Sequence, residues 1–125
     1  MERESFHLPT RSEAEQFEGL SEDFIDAWKA LRTFALSLGT QEAPHTSHRS
    51  IMFGRKLCYL FVRPKKNYVE VNFFLPRAIE SELLKKVTPT GGTKKRFGHV
   101  LALLHADQVE MPLTDWIREA YQAAE

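Results

Sequence analysis

Apolar and polar side chains alternate over three short runs between positions 47 and 75, and this alternation predicts three β-strands. The clearest run is the segment YVEVNFFL at 68–75, whose apolar and mixed positions take opposite sides of an extended chain. Turns are predicted at the GRK segment, 54–56, and at the PKKN segment, 64–67, because glycine, proline and asparagine favour turns. The three strands are therefore expected to form an antiparallel meander.

The two turns also predict which residues lie opposite each other. A four-residue loop at 64–67 places Val62 opposite Val69, and a turn through Gly54 places Ile51 opposite Cys58. The inner face is then apolar and consists of Ile51, Cys58, Leu60, Val62, Val69, Val71 and Phe73.

The other face of this meander is both aromatic and polar. Its members are His48, Ser50, Met52, Leu57, Tyr59, Phe61, Arg63, Tyr68, Glu70, Asn72 and Phe74. Soluble monomers seldom expose a large aromatic patch, so we expect a helix to cover this face. The alternative is an uncovered binding platform.

Helical periodicity brackets the meander. Ser12 and Glu15 match a capping box that begins a short helix, and Ser21 is predicted to cap a longer helix that ends before Gly39. The longer helix has an apolar stripe formed by Phe24, Trp28, Leu31, Ala35 and Leu38.

Three elements are predicted after the meander: a short helix over 77–86, a fourth strand at 100–105 and a closing helix that begins near Pro112. The predicted fold class is α+β. We expect a single domain at 15–125, preceded by a leader at 1–14, in which an antiparallel β-meander of about four strands packs against N-terminal and C-terminal helices.

Charge is segregated along the chain, although 17 basic and 17 acidic residues give a net charge of zero. Residues 1–44 hold nine acids and four bases, residues 45–100 hold twelve bases and three acids, and residues 101–125 hold five acids and one base. This segregation indicates an anionic partner, such as nucleic acid or an acidic protein. The alternative is that acidic helices neutralise the basic sheet within the molecule.

Several kinds of chemistry have no support in the sequence. A single cysteine, Cys58, excludes an intramolecular disulfide and a cysteine-cluster zinc site. His45 and His48 point to opposite faces of an extended segment, which is poor geometry for zinc. Phosphate-loop, dinucleotide-binding, serine-hydrolase and zinc-protease motifs are absent. We therefore expect a non-enzymatic domain without cofactor or metal, with an enzyme on the His99 side of the sheet as the alternative.

The location of the protein is predicted from its hydropathy. The chain has no apolar run of 18 residues and begins with a polar segment that does not resemble a signal peptide. We expect an intracellular protein, cytoplasmic or nuclear, that does not associate with membranes.

Basic residues next to aromatic ones on the mixed sheet face favour nucleic-acid binding. Cations would neutralise phosphates while aromatic rings stack on unpaired bases. The candidate residues are Tyr59, Arg63, Lys65, Lys66, Tyr68, Lys94, Lys95, Arg96 and His99. The alternative is a protein-interaction or homodimerisation module that uses the aromatic sheet face.

Four segments share their apolar spacing with a known family: EDFIDAWKALRTFALSLG, then IMFGRKLCYLFVRPKKNYVEVNFFL, RFGHV and DWIREAY. Over roughly residues 15–122 the chain resembles the family filed as domain of unknown function 5655. The resemblance implies an α+β domain with helices at both ends of an antiparallel sheet, and it implies no reaction. It also places Lys94, Lys95, Arg96 and His99 where the family enters its last strand.

Overall fold

Three α-helices and six β-strands make up the residues that the computed structural model describes, which are 8–39, 43–92 and 95–125. The strands form one antiparallel sheet in the order β1-β2-β3-β4-β6-β5. The α+β fold is therefore confirmed, with two strands more than expected. In chain order the elements are α1 (Glu13–Gln16), α2 (Glu22–Leu36), β1 (His45–Thr46), β2 (Ile51–Gly54), β3 (Cys58–Pro64), β4 (Val69–Leu75), β5 (Lys86–Pro89), β6 (Phe97–Leu103), a 3-10 turn (Ala106–Gln108) and α3 (Leu113–Ala123).

The N-terminal helices begin where their capping residues predict. The Ser12 hydroxyl accepts from the Glu15 N–H at 3.1 Å, and the Glu15 carboxylate accepts from the Ser12 N–H at 2.8 Å. Ser21 caps α2 through the Phe24 N–H at 3.3 Å. After α2, Gly39 has a φ of 116°, which a residue with a side chain rarely adopts. Both helix starts and the predicted end of α2 are confirmed.

A chain of aromatic rings joins the helices to the sheet. Phe17 stacks on Trp28 of α2 at 5.5 Å between centroids, and Trp28 contacts Phe53 of β2 at 5.9 Å. Phe53 in turn contacts Tyr59 of β3 at 6.5 Å, and Tyr59 meets Tyr121 of α3 edge to face at 5.3 Å. Each such pair contributes about 0.5–1.5 kcal/mol beyond area burial. The rings thus hold both long helices against the same sheet face.

The β3–β4 hairpin differs from its predicted register by two residues. Val62 pairs with Val71, and Pro64 pairs with Val69, so the loop begins at Lys65. Proline is tolerated at the end of β3 because its missing N–H would have pointed toward β2, whose pairing with β3 ends at Val62. A shift of two keeps every side chain on its predicted face.

The predicted pairing of Ile51 with Cys58 is wrong, because Ile51 pairs with Val62. The β2–β3 hairpin is longer than expected, and its turn lies against the end of α3. There the Lys56 N–H donates to the Ala124 carbonyl at 3.2 Å. This contact satisfies one of the carbonyls that a helix C-terminus leaves without an intrahelical partner.

A β-bulge in β3 changes the inner face. Phe53 pairs with Leu60, whereas Gly54 pairs with Cys58, so Tyr59 is an extra residue on its strand. Tyr59 and Leu60 are both fully buried, while Cys58 is only half-buried. Cys58 was predicted to lie in the core, and this prediction is wrong. Tyr59 takes its place there.

The helix predicted over 77–86 is absent, and β5 at the edge of the sheet begins there instead. The Ile79 N–H donates to His99 Nε2 at 3.0 Å, and the Lys85 N–H donates to the Val100 carbonyl at 2.7 Å. These backbone donors bind β6 rather than carbonyls of their own segment. A short helix over 77–86 would have had to offset the free-energy cost of helix nucleation with its own few hydrogen bonds.

Burial predicts the cost of truncating two leucines. Leu60 is fully buried at the centre of the sheet, whereas Leu83 is 52% exposed in the loop before β5. Leu60→Ala should lower the free energy of unfolding by about 2–5 kcal/mol, and Leu83→Ala should change it by less than about 0.5 kcal/mol. Urea titration measures both values. Equal losses in the two variants would contradict this assignment of the core.

Candidate nucleic-acid interface

The sheet face opposite the helices carries no helix in the described part of the chain. The core side chains of α2 and α3 pack with those of the inner sheet face. The expectation that a helix covers this face is therefore wrong, and the face is uncovered in the described part of the chain. We call this surface the outer face; its positions on the four central strands are Met52, Phe61, Arg63, Glu70, Asn72, Phe74, Gly98, Val100 and Ala102.

Two arginines and two phenylalanines form a row across the outer face. The Arg63 guanidinium lies 5.2 Å from the Phe61 ring centroid, and the Phe61 and Phe74 centroids are 5.9 Å apart. The Arg96 guanidinium lies 4.3 Å from the Phe74 centroid. We call these four side chains the arginine–phenylalanine row. It runs from β3 across β4 to the start of β6, with a cation at each end.

A glycine gives the row its shape. Gly98 of β6 lies opposite Phe74 of β4, and a Cβ at this position would be 3.4 Å from Cε1 of the phenylalanine. Without a side chain there, the ring lies on β6 and meets Arg96. Arg96 is held in turn by its Nη1, which donates to the Cys58 carbonyl at 2.8 Å.

Polar groups lie beside the row. Glu70 Oε2 accepts from the Asn72 amide at 2.9 Å, and Glu70 Oε1 lies 4.0 Å from Lys65 Nζ. A second cation covers a second ring, since Lys85 Nζ lies 4.1 Å from the Tyr68 centroid. The outer face thus combines rings, cations and one carboxylate that a lysine partly neutralises.

Salt bridges neutralise some cations of the basic segment and not others. Arg77 binds Glu119 of α3 at 2.7 Å, and Arg55 lies 4.0 Å from Glu125. Within the described ranges, neither Arg63 nor Arg96 forms a salt bridge with a carboxylate. The alternative that the acidic helices neutralise the basic segment therefore accounts for Arg55 and Arg77 but not for the row.

Tyr59 was wrongly placed on this face. Its side chain is fully buried between the sheet and α3, and burial raises the pKa of its hydroxyl to about 12. The bulge turns the residue inward, so its ring offers no surface to a base.

His99 is also inaccessible. It is fully buried on the inner face, stacked on Phe73 at 4.9 Å, and its Nε2 accepts from the Ile79 N–H. Burial lowers the pKa of His99, while the backbone at Phe73 and the Glu119 carboxylate act in the opposite direction. Because Nε2 accepts a hydrogen bond, the ring is neutral and holds the segment before β5 against β6.

The other candidates divide into three groups. Arg63 and Arg96 end the row, and Tyr68 lies under Lys85. Lys65, Lys66 and Lys95 are exposed in turns at strand ends. Lys94 lies outside the described residues.

Sequence reasoning placed Phe61 and Phe74 on the outer face but did not include them among the candidate residues. Their alternation with Arg63 and Asn72 was visible, but their contact depends on strand pairing. Lys85 is also missing from the predicted site, because the sequence predicts a helix over 77–86 that contains it.

Other kinds of site have less support. Among residues 8–39, 43–92 and 95–125, no three His, Cys, Asp or Glu side chains are placed to hold a metal ion. Burial raises the pKa of the Cys58 thiol, which disfavours the thiolate required of a nucleophile. No helix in the described segments has the length and apolar character needed to cross a membrane.

Comparison with known proteins gives one match. The model of a family described as Domain of unknown function (DUF5655) matches residues 13–124, a range that contains every described helix and strand. No curated protein and no solved structure matches the chain.

The environment of His99 predicts acid-sensitive stability. Its pKa is lowered in the folded state, so the unfolded chain binds the proton more tightly. The free energy of unfolding should therefore be highest above the ordinary histidine pKa of about 6.5 and should fall as the pH drops below it. Urea titrations between about pH 7.5 and 5.5 measure this loss.

Two glutamine variants test the assignment. His99→Gln keeps an acceptor for the Ile79 N–H and should remove this pH dependence. His45→Gln changes an exposed histidine of β1 and should leave it unchanged. An unaltered pH profile in His99→Gln would show that another group takes up the proton.

Proposed function

The chain belongs to the DUF5655 family, and we propose that this member binds single-stranded nucleic acid across the outer face of its sheet. The arginine–phenylalanine row carries the proposal. It offers two rings whose centroids are 5.9 Å apart and a guanidinium at each end. Rings and cations in this arrangement suit a strand whose bases stack on the protein while its phosphates meet positive charge.

The energetics favour exchanging arginine for a base on the Phe61 ring, whereas on the Phe74 ring the exchange must also break the hydrogen bond from Arg96 to the Cys58 carbonyl. A cation over an exposed aromatic ring contributes about 0.5–1 kcal/mol, whereas a stacked base contributes about 1–3 kcal/mol. A displaced arginine remains charged and close enough to bind a phosphate. Phe61 would therefore stack a base while Arg63 moves onto the backbone of the strand, and Phe74 would do the same where contacts of Arg96 with the strand offset its lost hydrogen bond.

Exposed lysines extend the positive surface beyond the row. Lys65 and Lys66 lie in the turn after β3, and Lys95 precedes β6, so cations flank the outer face on both sides of the row. A duplex would reach these cations but would leave its stacked bases out of contact with the rings. A single strand can use both the cations and the rings, which is why we propose a single-stranded partner. The proposed location of this encounter is the cytoplasm or the nucleus.

An acidic protein or a second copy of the chain is the alternative partner. The half-buried rings of Phe61 and Phe74 would suit a protein interface. Face-to-face pairing of two copies, however, would bring the Arg63, Arg96 and Lys85 side chains of both copies together. Like charges across an interface oppose binding, so the same face favours a partner of opposite charge.

Binding should be tighter for single strands than for duplexes and should weaken steeply with salt. Anisotropy of labelled RNA and DNA, measured at about 50 and 200 mM salt, tests this. We expect a dissociation constant below about 10 μM for single strands at the lower salt concentration. Flat titrations for every nucleic acid at both salt concentrations would overturn the proposal, and sedimentation would then test the alternative of self-association.

Variants separate the stacking contribution from the charge contribution. Arg96→Ala should reduce the salt slope for a single strand by about 0.7, whereas Phe74→Leu should weaken binding by about 1–3 kcal/mol without changing that slope. Arg96→Lys keeps the positive charge, so it should retain the salt slope, although lysine lacks the planar donor fork of arginine.

Arg118→Ala is the matched control for these variants. Arg118 also lies over a phenylalanine, with its guanidinium 5.5 Å from the Phe34 centroid, but both residues belong to the helix layer. Its replacement should leave the affinity for single strands within about twofold of the original protein. If Arg118→Ala weakened binding as much as Arg96→Ala did, the outer face would not be the binding surface.

A further inference from the structure

A cavity of about 540 Å³ opens at one end of the outer face, where β2 begins and β3 ends. Its polar lining consists of His48, Arg49, Arg63, Lys65 and the hydroxyl-bearing Ser47 and Ser50. Three of these side chains carry a positive charge, and no carboxylate of the described residues lines the cavity. Glu70 reaches Lys65 from outside at 4.0 Å. A cavity with this lining attracts anions.

Hydrogen bonds fix the wall of this cavity on one side. The Arg11 N–H donates to the Ser47 carbonyl at 3.1 Å, and Arg11 Nε donates to the His48 carbonyl at 2.9 Å. His48 Nδ1 lies 2.8 Å from the Pro9 carbonyl and must carry the hydrogen, because a carbonyl can only accept. The segment 8–11 is thereby bound to the turn at 47–50. Leu8, at the start of this bound segment, lines the cavity, so the segment bounds the cavity on that side.

Arg63 connects the cavity to the arginine–phenylalanine row. Its guanidinium lies over Phe61, and its side chain also lines the cavity. A strand that stacks on the row can therefore direct one of its ends into the cavity. A volume of about 540 Å³ exceeds the needs of a phosphate group and has room for a whole terminal nucleotide.

We propose that this cavity binds the terminal phosphate of the strand that lies on the outer face. The inference rests on the proposed function and adds a preference for a phosphorylated end. A terminal phosphate monoester carries a charge of about −1.5 to −2 at neutral pH and three terminal oxygens. An internal phosphodiester carries only one charge and continues in both directions, whereas segment 8–11 bounds the cavity on one side. Arginine forks and lysine together match the monoester.

A second cavity provides a contrast. It lies between α1 and α2 and has a volume of about 720 Å³, but its charged lining has an excess of carboxylates: Glu13, Glu15 and Glu18 against Lys29 and Arg32. Carboxylates repel a phosphate there. Size alone thus does not single out the proposed site, whereas a lining with three cations and no described carboxylate does.

The test compares one short single strand with three kinds of end: a 5′-phosphate, a 3′-phosphate, or hydroxyls at both ends. Anisotropy at one fixed salt concentration gives the three dissociation constants. One phosphorylated form should bind about tenfold more tightly than the hydroxyl form, as expected for an added charge-assisted contact. Arg49→Ala should reduce this preference to less than about twofold, and Arg118→Ala should preserve it.

Equal binding of all three strands to the original protein would overturn the inference and leave the proposed function intact. A preference that survives in Arg49→Ala would also overturn it. A nucleoside monophosphate, titrated alone by calorimetry, separates the two proposals further. If strands do not bind but the monophosphate does, and Arg49→Ala abolishes that binding, the proposed function fails while the phosphate cavity stands. Equally tight binding of phosphoserine would overturn the assignment to a nucleotide.

Discussion

The bulge in β3 is the constraint on which the two unlike faces of the sheet depend. As the extra residue, Tyr59 joins Leu60 on the inner face and bridges Phe53 and Tyr121. Strict alternation would have left the tyrosine beside Phe61 and removed the ring contact with α3. One inserted residue therefore helps to decide where α3 packs and which aromatic rings remain on the outer face.

Arginine side chains explain how this protein keeps aromatic rings on an uncovered sheet face. Arg63 and Arg96 lie over Phe61 and Phe74, so the rings are only partly exposed, although no helix of the described residues covers them. The cover over Phe61 is weak, because a cation over an exposed ring contributes only about 0.5–1 kcal/mol, whereas Arg96 is also held by the Cys58 carbonyl. A packed helix would bury the face permanently, whereas a weakly held side chain can leave the ring when a ligand arrives.

The sequence predicted what depends on local patterns and missed what depends on pairing. Ser12, Ser21 and Gly39 marked helix ends correctly because caps act within a few residues. Alternation identified the buried side of β4 even though the register was wrong, since a slip of two preserves the face. It could not predict an extra residue at Tyr59 or an edge strand that pairs only with β6. Of the candidate site, the sequence identified the two arginines of the row, but not the rings that they cover.

The separation of charge between the two layers makes this molecule an electric dipole with no net charge. The acidic segments form α1, α2 and α3, and the basic segment forms most of the sheet. The field of a dipole decays faster with distance than that of a net charge, and salt limits it to about 8 Å under physiological conditions. A polyanion would therefore experience little attraction until it is close to the protein. At that range, the helix layer repels it and the sheet attracts it, so the dipole orients the encounter without drawing in distant anions.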